Sequence, residues 1–412
     1  MSSSGAEILG ENAPMEHDLE RIVREMNSWF VAHNFRGNDP YQMDEKYLGF
    51  SGNTRYLQFL RKLLKPFHAY IPKKLFTSFP DIYHPKALGL IISGNVMLCR
   101  LTGDEELLRQ NEELAGVLEE IRSPGYDSLC WGHPFEWGQN PRYPANTPAV
   151  CVVCPVAQGL LDHYEITGDP GFLEMCEDAA DYLLEENGMD EVTDDQTALF
   201  YTPLDRKYVY NAIIQASAFL YRLCEHTDGN ERRLDLAGRT ANFVVRNQRE
   251  DGSWHYADKK GAEEIRRIDN RHTGFILEAL SLICRYHSTP EYEQSLQSGT
   301  EYYLKHFFED GLPKWSDTRM YPIDIHDVAQ AIITLTALGE YFRAERVAEF
   351  AVENMSDGTD EFYYKYYQSG RVNWAVFIRW NQAWMYRALT YYLRFESDEP
   401  RKVGESLSTE SH

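Results

Sequence analysis

A unit of roughly 60 residues recurs along this chain, and no other feature of the sequence constrains its fold as tightly. A turn follows an apolar helix in LCRLTGDEELL near Gly103, DHYEITGDPGFL near Gly168, LYRLCEHTDGNERRL near Gly229 and ICRYHSTPEYEQSL near Pro290. Each of these turns opens a charged segment such as ERRLDLAGRTANFVVRNQ, with apolar residues at spacings of three and four. That segment ends in a second kind of turn, glycine with an aromatic soon after: SPGYDSLCW, ENGMDEVTDDQTALFY, EDGSWHY, EDGLPKW and SDGTDEFYYKYY. Glycine just past a helix supplies the left-handed residue that stops it. Each unit is therefore a helical hairpin.

Six apolar helices open just after the second kind of turn, at about 85–101, 148–166, 209–226, 272–287, 325–341 and 374–394. Rich in Ala, Leu and Ile, they read as an inner ring. Amphipathic segments at about 54–70, 104–121, 170–186, 230–248, 290–308 and 342–355 supply an outer ring. The expectation is an all-α fold, an (α/α)6 toroid spanning 41–395. An open solenoid obeys the same pairing rule, but its repeats usually run about 33–47 residues without long loops on one side. Residues 1–40, with the helix DLERIVREMNSWFVAHN, read as an extension across the outside, and 396–412 as a disordered tail.

Composition narrows the function. With 43% apolar and 13% aromatic residues in 412, a large core is available. A net charge of -23 repels nucleic acid and anionic lipid. No apolar run reaches the ~18–20 residues of a membrane span, and the N-terminus lacks a secretory pattern. Seven cysteines without framework spacing fit reduced thiols, so the expected location is cytoplasmic. The lone CxxC of Cys151 and Cys154 reads as two small core residues on one helix.

In a toroid every inner helix starts at the same mouth, so residues ahead of these helices converge. They are Tyr83 and His84; Trp131, His133, Glu136 and Trp137; Tyr210 and Asn211; Asp269, Asn270, Arg271 and His272; Tyr321, Asp324, His326 and Asp327; and Asn373, Trp374, Arg379 and Trp380. Trp254, His255 and Trp315 overhang the same opening. Flat aromatic faces, carboxylates, amides and a few cations are the means of binding a sugar, including an acidic one. His272 and His326, with Asp269 and Asp324, are the expected catalytic acid/base groups. Substrate binding falls to His133, Glu136, Trp137, Tyr210, Asn211, Asn270, Arg271, Asp327, Trp315, Trp374, Arg379 and Trp380.

Plainer readings accompany these. An Asp just ahead of a helix is most often its N-cap, and a single histidine there is more often a packing residue. Against this, IDNRHTGF and YPIDIHDVAQA repeat an Ile-Asp-x-(x)-His pattern in adjacent units. The loop WGHPFEWG also reads as a rigid lid. Trp254 in QREDGSWHY matches a strut of terpene cyclase toroids, yet no DxDD-type acidic centre accompanies it. No HxxxH or HExxH spacing occurs, so neither a metal nor another cofactor is expected.

The strings WGHPFEWGQNPRYPANTPAVCVV, YNAIIQASAFLYRL, QREDGSWHYADKKGAEEIRRIDNRHTGFILEAL and MYPIDIHDVAQAIITL resemble AglQ-type proteins of archaeal protein N-glycosylation and their bacterial relatives, over most of 80–395. The general pattern of that group is similar to six-hairpin glycosidase-like toroids, which include N-acylglucosamine 2-epimerases and unsaturated glucuronyl hydrolases. The resemblance implies an isomerase or epimerase that prepares a sugar, a hexuronic acid, for a lipid-linked glycan. Relatives often carry Tyr and Asp at the positions of His133 and Glu136, and the glucuronyl hydrolase motifs are absent. Three functions follow for testing: a cofactor-independent isomerase with Arg271 or Arg379 meeting a substrate carboxylate, a glycoside hydrolase or lyase using Asp269 or Asp324 as general acid, and a non-catalytic glycan-binding scaffold. The sugar, its nucleotide or lipid carrier, and the oligomeric state stay open.

Overall fold

The computed structural model describes residues 15–42, 81–138, 142–228, 230–258 and 265–398. Six helices form an inner ring: α2 (Pro85–Thr102), α4 (Val150–Thr167), α6 (Tyr210–Cys224), α8 (Asn270–Tyr286), α10 (Ile325–Ala337) and α12 (Trp384–Asp398). Each packs on the next, and α12 packs back on α2, so the ring is closed and the solenoid alternative is excluded. The outer partners are α3 (Glu106–Glu120), α5 (Pro170–Asp181), α7 (Glu231–Arg246), α9 (Pro290–His306) and α11 (Tyr341–Met355). Behind α12 stands α1 (Met15–Ala32), which buries Leu19, Ile22, Val23, Met26 and Phe30. Its Asn27 amide donates to Asn95 on α2 (3.0 Å) and Gln110 on α3 (2.9 Å). The expected outer helix at 54–70 and the tail beyond 398 lie outside the described residues. No helix among the described residues is long and apolar enough to cross a membrane.

Local chemistry accounts for the ends of these helices. Gly168 stops α4 at φ 71°, donating its N–H to the Tyr164 carbonyl. Asp269 and Asp324 are both N-caps, accepting from the backbone N–H of His272 and His326. Where α2 crosses α4, Gly89 and Gly159 let the backbones meet: a Cβ on Gly159 would stand 2.2 Å from the Gly89 carbonyl oxygen. Inner helices can approach this closely only without side chains at the crossing.

The sixth inner helix starts later than its pattern suggests. Val372–Asn373 (β7) pairs with Lys365–Tyr366 (β6), which pairs with Ile323–Asp324 (β5), so extended chain occupies 372–377. A π-helical turn, Ile378–Ala383, then leads into α12. The remaining strands, Met189–Thr193 (β1) with Gln196–Leu199 (β2) and Phe308–Glu309 (β3) with Leu312–Pro313 (β4), are short hairpins after outer helices. All irregular chain of this kind gathers at the mouth where inner helices begin. Trp254 is the expected strut: 2% exposed, it donates its indole N–H to the Val244 carbonyl of α7 (3.0 Å).

Candidate active site

At that mouth, His272 stands one residue-turn inside α8. Its Nδ1 lies 2.5 Å from Asp269 Oδ1, and the same carboxylate accepts from Arg267 Nε on its other oxygen (2.5 Å). Burial pushes the Asp269 carboxyl up, but His272, Arg271 and Arg267 outweigh it and hold the group below the usual carboxylate range. Burial draws the His272 pKa down to about 4, against the pull of Asp269. The pair is therefore a carboxylate accepting from a neutral imidazole, which fixes the proton on Nδ1 and leaves Nε2 as a lone pair. Nε2 has no hydrogen-bond partner among the described residues, and the side chain is 18% exposed.

His326 is a different case. Asp324 Oδ1 accepts from the His326 backbone N–H (3.1 Å) and from Trp380 Nε1 (2.7 Å), not from the imidazole. The expected equivalence of the two Asp-His pairs fails because Asp324 is two residues ahead of its histidine and Asp269 three; only the longer spacing turns the ring over its own cap. Both ring nitrogens of His326 lack a hydrogen-bond partner among the described residues. The ring is boxed by Trp380 (4.6 Å), Trp384 (4.8 Å) and Phe275 (6.0 Å), and Phe275 is also 6.2 Å from His272. Burial, with Arg271, Lys86 and Arg379 nearby, pushes the His326 pKa well below the ordinary histidine value. Beside it, Asp327 meets Arg271 at 3.2 Å through Oδ1, while Oδ2 has no partner among the described residues. Burial raises its carboxyl well above the usual range; Arg271 opposes this, and Asp324 and Asp269 add to it. Asp327 thus has the character of a general acid.

The other expected residues divide by the phase of their helices. Trp137 packs against His133 (4.9 Å), its indole N–H without a partner among the described residues. His133 and His84 are buried and share a hydrogen bond between Nδ1 and Nε2 of 2.9 Å; burial, then the Arg379 charge, pushes both pKa values well below the ordinary one. Asn211 lines the small pocket around His272 and Asp269, its Oδ1 unpaired. Trp380 packs on His326, with the guanidinium of Arg271 5.0 Å from its ring.

Six expectations are corrected. Tyr210 turns outward, its hydroxyl donating to Asp258 (2.5 Å) and its ring against Phe243 of α7. Asn270 also faces outward, accepting from the Tyr303 hydroxyl of α9 (2.7 Å). Glu136 is an exposed partner of Arg142 (2.6 Å) on the loop surface. Trp374, 59% exposed, and Trp315, ringed by Arg319 at 5.3 Å, belong to the rim rather than the lumen. Arg379 is already engaged: one edge of its guanidinium, Nε and Nη2, donates to the two Asp39 oxygens at 2.6 and 2.8 Å, with the pair buried. That edge is not open to a substrate carboxylate. Among the described residues no group of three or more His, Cys, Asp or Glu side chains is arranged to hold a metal ion. Cys154 is buried on α4, as expected for a core residue, whereas Cys151 meets the Tyr201 hydroxyl at 3.0 Å.

One residue of the site was not anticipated. Lys86, the second residue of α2, is only 6% exposed, and its ammonium stands 5.0 Å from the Trp384 ring and 5.5 Å from that of Phe275. It makes no hydrogen bond and no ion pair among the described residues. Burial draws its pKa down to about 8. A lysine so enclosed, facing rings on one side and the histidines on the other, is a cation waiting for an anion.

No family model and no curated protein matches this chain. Solved structures do. Cellobiose 2-epimerase from Bacillus thermoamylovorans superposes with a TM-score of 0.61 at 13% identity, over 76% of this chain and 88% of that one. A polysaccharide lyase matches with a TM-score of 0.61 at 11% identity, over 94% and 99%. A family 76 glycoside hydrolase from a bovine Bacteroides thetaiotaomicron strain gives 0.58 at 13%, over 75% and 69%. At these identities the likeness is one of fold, the six-hairpin toroid, and that fold carries several carbohydrate chemistries.

Proposed function

We propose that this protein is a sugar isomerase or epimerase that moves a proton at a sugar carbon with its own side chains, needing neither metal nor redox cofactor. The observation that carries this reading is the neutral His272, locked by Asp269 through Nδ1, near a second neutral histidine, His326, whose ring nitrogens have no partner among the described residues. His272 Nε2 takes the proton; His326 or Asp327 returns it. Lys86 meets the substrate's negative charge, in the role the sequence suggested for Arg271 or Arg379, and Trp137 and Trp380 offer faces for the ring. An anion beside Lys86 offsets the positive field on His326 and lifts its proton affinity toward the range where histidine catalysis works. An acidic sugar, a hexuronic acid free or carried on a nucleotide or lipid, suits that charge. The resemblance to AglQ-type proteins supports a role in assembling a glycan for protein or surface modification.

A hydrolase needs one protonated carboxyl and a second carboxylate across the bond. Asp269 and Asp324 are both committed as caps with further donors, which weighs against either as the second carboxylate opposite a protonated Asp327. The test is NMR of candidate hexuronic acids, free and nucleotide-linked, incubated with the protein in deuterated water. Deuterium at one carbon of an isomeric product, lost in His272→Gln and His326→Gln, is the expected result. A new reducing end would replace this reading with the hydrolase, and binding without exchange would replace it with a scaffold.

A further inference from the structure

The lumen does not end at the histidines. Beyond Phe275 and Trp384 the ring opens into a second cavity of about 230 Å³, facing the opposite mouth, where the inner helices finish. Five inner helices each turn a stripe of residues at three- and four-residue spacing into it. Two arginines lie inside. Arg222 of α6 is clamped by Asp162 (2.6 Å) and Glu165 (2.7 Å), and Arg387 of α12 by Glu278 (2.6 Å). Ser93 donates to Asp162 (2.5 Å) and Gln330 to Glu278 (2.8 Å), so every carboxylate lining the cavity is already occupied.

Three more arginines, Arg100, Arg285 and Arg394, line the same cavity toward its rim. Asp162, Glu165 and Glu278 are taken by Arg222 and Arg387, and Arg100 and Arg285 remain without an ion pair among the described residues, in a chain whose net charge is -23. Some positive charge belongs at helix C-termini, where each macrodipole leaves about half a negative charge. A cation serving only that purpose would hydrogen-bond the last carbonyls. Arg100 and Arg285, in the last turns of α2 and α8, make no hydrogen bond to a carbonyl and no ion pair among the described residues; Arg285 instead stands 5.6 Å over the Phe395 ring. Both are exposed. The cavity has apolar walls in Phe275, Trp384 and Tyr391, which give a ligand a surface to lie on.

We propose that this second mouth is a binding site for a small, multiply charged anion bearing phosphate or carboxylate groups, in a cavity lined by Arg100 and Arg285 and distinct from the histidine site. Its occupant is recognised by charge, since surplus cations in a concave, partly apolar pocket concentrate anions and exclude the neutral competitors around them.

The experiment is calorimetric titration of the full chain with inorganic pyrophosphate and, separately, citrate at low salt, repeated with the double variant Arg100→Gln/Arg285→Gln and with Lys86→Met. Saturable binding of either anion, weakened at least ~10-fold in the double variant and persisting in Lys86→Met, is expected, with any separate binding at the histidine mouth lost only in Lys86→Met; which anion binds tells phosphate from carboxylate recognition. The exposed double variant should unfold at the temperature of the parent, which separates lost binding from lost structure. Absence of binding by both anions, binding undiminished in the double variant, or binding abolished by Lys86→Met would each overturn the assignment, the last by moving the anion to the histidine mouth.

Discussion

Lys86 is held against its own solvation preference, so removing its charge should strengthen the fold while disabling the site. Its pKa falls from 10.5 to about 8 on burial. At ~1.4 kcal/mol per tenfold change in proton affinity, that difference amounts to ~3 kcal/mol of destabilisation. The two ring contacts return about 0.5–2 kcal/mol of it. Replacing the side chain by methionine keeps its length and lays a thioether on the same rings. Lys86→Met is therefore expected to be more stable than the parent by about 2 kcal/mol at pH 7. The sign of the pH dependence follows from the lowered value. Between pH 8 and 10.5 the unfolded chain binds more protons than the folded one, so the parent gains stability as pH rises and the gap closes to below ~1 kcal/mol by pH 10. Urea unfolding of both proteins at pH 7 and pH 10 measures this directly. A variant less stable than the parent at pH 7, or a gap that does not change with pH, would show that the ammonium has a partner that offsets its burial. The same variant should lose binding of acidic sugars.

Two further outcomes are expected. Asp39→Asn leaves Arg379 charged and buried without its counterion, and should cost about 3–5 kcal/mol in urea unfolding; a change below ~1 kcal/mol would mean the guanidinium finds water or another acceptor. In the isomerisation assay, kcat/KM should rise as pH increases through about 4 and stay level to neutrality, because the base works deprotonated and His272 titrates there. Asp269→Asn removes the group that fixes the tautomer and should lower kcat by roughly 10²–10⁴; an acid limb near the ordinary histidine value in the parent would place the working base outside this environment.

The architecture was legible because glycine stops and apolar stripes are local signals. Gly168 ends α4 for the same reason it can be read as a stop, and Asp269 and Asp324 cap their helices wherever those helices pack. The site was legible in position but not in direction. Consecutive residues on a helix differ by about 100°, so Asn270, Arg271 and His272 cannot all face the lumen, and Asn270 is the one turned away to Tyr303. Tyr210 and Asn211 divide in the same way. Lys86 carried little warning, since a lysine in the first turn of PKALGLIISG has the look of a chain end reaching for water. That Arg379 is spoken for depends on Asp39, 340 positions earlier, a distance that no local pattern spans.

That long pairing has a consequence for how the protein comes into being. The ring is completed only when α12 docks against α2, and the segment that carries Arg379, Trp380 and Trp384 arrives with it. Until then five hairpins expose a lumen that includes buried histidines and charged stripes to the surrounding medium. A nascent chain on the ribosome therefore passes through most of its synthesis with an unsealed, adhesive interior and no working site. Chaperone dependence should concentrate in the interval before the last helix emerges.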